Sequence, residues 1–127
     1  MKKRVKILKF PNNKVLRLTN TSEADCNVIE CGKDRFTLQE FQLQHGHDDS
    51  LPYYAKLCLN GKPICTCLND GWGGQTDLRP LDNQMREVMT SMEIALSKFK
   101  WSFGGIEFPL SIDFIADTLA CSLANGY

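Results

Sequence analysis

Tyr53-Tyr54-Ala55-Lys56-Leu57-Cys58-Leu59, then Asn60-Gly61, then Lys62-Pro63-Ile64-Cys65-Thr66-Cys67-Leu68 is the stretch on which the fold class turns. Two runs rich in aliphatic, aromatic and β-branched residues meet at Asn-Gly. That pair tolerates positive φ at both central positions of a type I′ turn, so residues 53–68 are expected to form a tight hairpin. The register follows from the turn. Leu59 and Lys62 flank it as a hydrogen-bonded pair, which sets Cys58 opposite Pro63 in a non-hydrogen-bonded pair where a missing N–H loses no ladder bond. Strict alternation assigns Tyr53, Ala55, Leu57, Leu59, Ile64, Thr66 and Leu68 to a core face, and Tyr54, Lys56, Cys58, Cys65 and Cys67 to the other.

Upstream, residues 36–44 alternate but change phase, with Phe36 and Leu38 on one parity and Phe41 and Leu43 on the other. A bulge near Gln39 and Glu40 reconciles them and leaves Gln42 and Gln44 facing outward. Residues 26–31 are expected to form a short strand ended by Gly32. Residues 5–10 and 14–18 are expected to pair as a hairpin through Pro11-Asn12-Asn13.

Downstream the period changes from two to 3.6. Asp82 is a plausible N-cap, and Met85, Val88, Met89, Met92, Ala95, Leu96 and Phe99 recur at helical spacing opposite Arg86, Glu87, Thr90, Glu93 and Lys98. A second helix is expected from residue 110 or 111 to about 124, opened by Pro109 and stopped by Gly126. The fold class read from these segments is α+β: an antiparallel sheet of five or six strands followed by two C-terminal helices packed on one face, in one domain spanning residues 1–127. Apolar residues cover most of the last helix, so it is either central in the fold or buried by another subunit. The expectation drawn here is a homo-oligomer.

At 127 residues and 43% hydrophobic composition, the chain is long enough to bury a core without disulfide staples. It contains no run near the ~18 apolar residues of a membrane span, and lysines interrupt the apolar stretch of its first ten residues, so no membrane partner and a cytoplasmic location are expected. The six cysteines are therefore read as free thiols. Residues 1–20 carry Lys2, Lys3, Arg4, Lys6, Lys9, Lys14 and Arg17 and no acid, while the remainder holds the other eight basic and all fifteen acidic residues. Lysines on a terminal edge strand protect it from aggregation, and an acidic remainder argues against a nucleic-acid footprint.

The most unusual segment is Asn69-Asp70-Gly71-Trp72-Gly73-Gly74. Three glycines let backbone N–H groups approach an anion, Trp72 offers a stacking plane, and Lys56 or Arg79 is available for charge. These residues form the expected ligand site, for a small phosphate-bearing or nucleotide-like molecule or for a protein surface. The spacing is not that of a phosphate-binding loop, and no motif asks for a cofactor. Residues 54–62 and 68–74 together resemble small uncharacterised proteins of phages and mobile elements, in which a strand, an Asn-Gly-Lys hairpin and an Asn-Asp-Gly-x-Gly-Gly loop follow one another. That resemblance implies a genomic setting and no assigned activity. It adds weight to a non-enzymatic inhibitor or sequestering protein acting on host defence, in the host cytoplasm.

His45-Gly46-His47-Asp48-Asp49 is the one metal-like constellation, with Cys65 and Cys67 as further donors. Its spacing matches neither a zinc ribbon nor a finger. The enzyme alternative is a metal-dependent hydrolase centred on His45, His47 and Asp48; no nucleophile, base and oxyanion donor can be assembled by name, so the reading leans away from catalysis and names no catalytic residue. Asp113 and Asp117 read as one polar stripe of the last helix. Phe103-Gly104-Gly105, after Trp101, reads as a plain connection between the helices. A structural or assembly subunit using the last helix as its interface is the third reading.

Overall fold

A computed structural model of the chain describes residues 5–19, 25–44, 52–70 and 75–126. The hairpin read from Asn60-Gly61 is its centre. β5 (Tyr53–Leu59) and β6 (Lys62–Asn69) pair antiparallel, with Leu59 beside Lys62 and Cys58 beside Pro63. Asn60 and Gly61 take φ of 53° and 86°, as a type I′ turn requires. The register then slips. Leu57 stands opposite Cys65, so Ile64 is the extra residue of a bulge.

That bulge reverses which side of the strand faces inward. Cys65, Cys67 and Asn69 share the core face with Tyr53, Ala55 and Leu57, while Thr66 and Leu68 leave on the outer face. This corrects the strict-alternation expectation for Cys65, Thr66, Cys67 and Leu68. The register shows the cause: Cys58 pairs with Pro63 but Leu57 with Cys65, so Ile64 has no partner of its own, and it is buried together with Cys65, at 2% and 0% exposure.

β4 (Asp34–Leu43) carries the other bulge, between Gln39 and Gln42, with Glu40 at φ 55°. It lies where the change of phase placed it. β3 (Val28–Cys31) joins β4 through a tight turn containing Gly32, at φ 62°. β7 (Asp77–Pro80) adds an edge strand beyond β6.

The N-terminal hairpin does not form. β1 (Ile7–Phe10) pairs in parallel with β3, completing a six-stranded sheet of order β1-β3-β4-β5-β6-β7. β2 (Val15–Leu18) instead pairs in parallel with β8 (Lys100–Phe103), which with β9 (Ile106–Pro109) makes a separate three-stranded sheet of order β2-β8-β9. Burial explains the choice: Leu8 and Phe10 face the main core at 8% and 1% exposure, and Leu16 and Leu18 lie beside Trp101 and Phe103 of β8. Each pairing gives its strand an apolar partner surface that a local hairpin would lack.

α1 (Asn83–Leu96) is capped by Asp82, whose side chain accepts the N–H of Met85 at 2.8 Å. α2 (Ile112–Ala124) is capped by Ser111. Pro109 closes β9 and does not open the helix. β8 and β9 intervene between the two helices, so the helices do not simply follow the sheet. Gly104 and Gly105, at φ 62° and 83°, make the β8–β9 connection a second type I′ hairpin where a plain loop was expected.

α2 contacts β3, β4 and α1, and α1 contacts β6 and β7. Ile112, Ile115, Ala116, Leu119 and Ala120 join Phe10, Ile29, Phe36, Leu57 and Ile64 in one buried cluster. Trp101 is stacked between Phe108 and Phe114, at centroid distances of 4.6 and 4.5 Å. Much of the apolar circumference of α2 is thus covered within the chain by a sheet, a helix and an aromatic stack, whereas Cys121 and Ala124 near its end are exposed. Among the described residues no helix is long and apolar enough to cross a membrane.

Candidate functional site

Asn69 ends β6 and Thr76 stands just before β7, so the two bracket the glycine-rich segment. Both are buried, at 8% and 7% exposure. The Ile64 bulge puts Asn69 on the core face; without it, the side chain would leave on the outer face. Asn69 Nδ2 donates to Thr76 Oγ at 3.2 Å, and Thr76 Oγ donates to Asp117 Oδ1 at 2.5 Å. Tyr53, the cross-strand neighbour of Asn69, donates its phenol to the same Asp117 oxygen at 2.9 Å. Four side chains, from β5, the end of β6, the residue before β7 and the half-buried Asp117 of α2, form one chain of hydrogen bonds joining the two ends of the 69–76 connection.

The charge state of this network follows from its surroundings. Burial raises the Asp117 carboxyl above the usual carboxylate range; the Thr76 and Tyr53 hydroxyls oppose that rise, and Asp113 one turn away adds to it. Burial, followed by the negative charge of Asp117, raises the Tyr53 phenol. Beneath lie Cys65 and Cys67, two residues apart on the same face. The neighbouring Cys65 thiol, followed by burial, raises the Cys67 thiol and keeps it protonated. A phenol pushed upward and a carboxylate occupied by two donors supply no nucleophile near neutral pH. The group is a clamp.

Tyr53, Thr76 and Asp117 escaped the sequence reading. Asp117 looked like part of a solvated stripe with Asp113, yet it lies between Ala116 and the Leu119–Ala120 pair, all three fully buried. A carboxylate so placed must find donors, and that was the available signal.

Of the expected ligand residues, the structure places Asn69 in the clamp and Asp70 exposed beside it; Gly71, Trp72, Gly73 and Gly74 lie outside the described residues. Lys56 and Arg79 leave the sheet on the face opposite Asn69. They belong to one row, Gln39–Lys56–Thr66–Arg79, across four strands. Each is paired with a carboxylate, Lys56 with Glu40 at 2.9 Å and Arg79 with Asp77 at 2.8 Å. His45, His47 and Asp48 also lie outside the described residues, and the inward turn of Cys65 and Cys67 removes them from the outer face on which they were expected. Among the described residues no group of three or more His, Cys, Asp or Glu is arranged to hold a metal ion.

Compared with protein families, curated proteins and solved structures, the chain matches none.

Proposed function

We propose that the protein is a small non-enzymatic binding module whose ligand site is the segment 69–74. The clamp formed by Asn69, Thr76, Asp117 and Tyr53 carries this reading. A glycine-rich connection loses much conformational entropy when it is ordered, so a binding loop gains from having both ends fixed to a rigid base. Three buried polar groups and the half-buried Asp117, joined at the two ends of the one segment that carries three glycines and a tryptophan, supply such a base. In this reading Trp72 is the stacking plane and the N–H groups of Gly71, Gly73 and Gly74 receive an anionic group.

Because Lys56 is paired with Glu40 and Arg79 with Asp77, this reading gives the charge recognition to backbone N–H groups instead of these cations. It also weighs against nucleic acid, which asks for unpaired cations along a face. The ligand class is a nucleotide-like molecule or a host protein surface, in keeping with a mobile-element protein that sequesters or inhibits a component of host defence in the cytoplasm.

Isothermal titration with a nucleotide panel tests the small-molecule form. Saturable heat that is lost in Trp72→Ala, with an unchanged melting temperature, supports it. No heat with any nucleotide, together with stoichiometric capture of one host protein that Trp72→Ala abolishes, moves the site to protein recognition. Binding unaffected by Trp72→Ala would place the site elsewhere.

A further inference from the structure

The three-stranded sheet sets Arg17, Ser102 and Glu107 side by side on one face, one residue from each strand. Neighbouring strands lie ~4.8 Å apart, so the backbones of Arg17 and Glu107 are roughly 10 Å apart with Ser102 between them. Both outer residues are exposed. Among the described residues neither side chain makes a hydrogen bond or ion pair, in contrast to Arg35, Lys56 and Arg79, each neutralised by a carboxylate. A free guanidinium and a free carboxylate thus stand apart in one row. They line an open cleft of about 590 Å³ whose remaining walls are Leu18, Thr19 and the Gly104-Gly105 turn. The positive φ of that turn selects glycine at both positions, which keeps its wall clear of side chains. Lys100, one pair further along the same face, lies outside the lining.

We propose that this cleft binds a small zwitterion of the dipeptide class, with its carboxylate on Arg17 and its ammonium on Glu107. The arginine fork receives a carboxylate through two parallel N–H···O bonds. The Glu107 carboxylate accepts from the ammonium group, and the Ser102 hydroxyl lies where the linking amide passes. An extended dipeptide spans roughly 7 Å, and with a hydrogen bond of about 3 Å at each end it bridges the row when the two long side chains tilt slightly outward. A monoanion leaves Glu107 unmatched, and a phosphate group is repelled by it. No residue of the 69–74 segment takes part, so the two sites stand or fall separately.

Amide-resolved NMR titration of the whole chain with glycylglycine tests the assignment. The expected result is saturable shifts at Ser102, Gly104 and Gly105, with a dissociation constant of roughly millimolar order for so open a site. N-acetylglycylglycine and glycylglycinamide, each lacking one charge, are expected to bind about tenfold more weakly. Arg17→Ala should erase the penalty for amidation, and Glu107→Gln the penalty for acetylation. Both substitutions are at exposed positions and should leave the melting temperature unchanged. Absence of saturable shifts at these amides overturns the proposal, as does equal binding of the capped and free dipeptides or wild-type affinity in either variant.

Discussion

The carboxylate of Glu93 in α1 accepts the backbone N–H of Ile112, the first residue of α2, at 2.7 Å. The side chain of one helix therefore caps the next. Ser111 Oγ accepts from Phe114 N at 3.3 Å, so two of the N–H groups that a helix start leaves without intrahelical partners are satisfied, one of them by a negative charge at the positive end of the helix dipole. The bond also fixes the angle at which α2 meets α1 after the β8–β9 hairpin.

Glu93→Ala should destabilise the protein by about 1–2 kcal/mol, the usual loss for a helix cap with a charged acceptor. Glu93→Gln keeps an oxygen in place and should lose less than half of that. Urea unfolding followed by circular dichroism measures both; equal losses would show that the charge, and not the hydrogen bond, carries the effect.

Asp117 gives a pH dependence with a definite sign. Because burial raises its carboxyl, the folded protein holds a proton at pH values where the unfolded chain has released it. Its contribution is complete below the unfolded value near pH 4 and declines as pH rises through the folded one. Asp117→Asn keeps Oδ1 as an acceptor and cannot ionise. The stability difference should therefore shift steadily in favour of the variant between about pH 4 and pH 7; a constant difference across that range would mean that Asp117 does not titrate there.

Tyr53→Phe and Thr76→Val each remove a donor to the same carboxylate oxygen. Each should cost about 1 kcal/mol. Because they share an acceptor, the double variant should depart from the sum of the two. Strict additivity in a thermal-unfolding cycle would show that the two hydroxyls act independently.

The thiols should react unequally. Cys121 alone among the six is exposed, and Cys26, Cys31, Cys58, Cys65 and Cys67 are buried. Burial raises Cys26 to about 11 and Cys31 to about 12, so both stay protonated as well as shielded. A native-state assay with an aromatic disulfide should titrate one thiol quickly and the rest only on unfolding, and Cys121→Ser should remove the fast phase. Burial followed by the charge of Asp117 raises Cys121 as well, so its rate should continue to climb above the pH at which an ordinary thiol levels off.

Local chemistry was legible wherever the structure is local. Asn60-Gly61 fixed a turn, its register and the position of Pro63, and the change of phase between Leu38 and Phe41 located a bulge. Asp82 marked a helix start. The Ile64 bulge was not legible, because a strand that buries two consecutive residues reads like one that alternates until its partner is known. Nor were the partners of β1 and β2, since the apolar surface that each strand covers is contributed by distant segments. The Gly104-Gly105 hairpin carries a local signal as well: Trp101 and Phe103 before it and Ile106 and Phe108 after it alternate with more polar residues. Of the candidate site, Asn69 came from the sequence, whereas Tyr53, Thr76 and Asp117 are joined to it only by the packing of α2 on the sheet.

The parallel pairings of β1 with β3 and of β2 with β8 bear on how the chain comes to fold. β2 has no strand partner until Lys100–Phe103 is available, and the backbone just before β3 is held by a bond from Cys26 N to Ser122 Oγ across 96 positions of sequence. During synthesis the central hairpin and the β1–β3 pair can form as they emerge, but β2 must wait unpaired until residues 100–103 have been made. Lys14 and Arg17 then act before the fold exists, keeping an unpartnered apolar strand in solution while its partner is awaited.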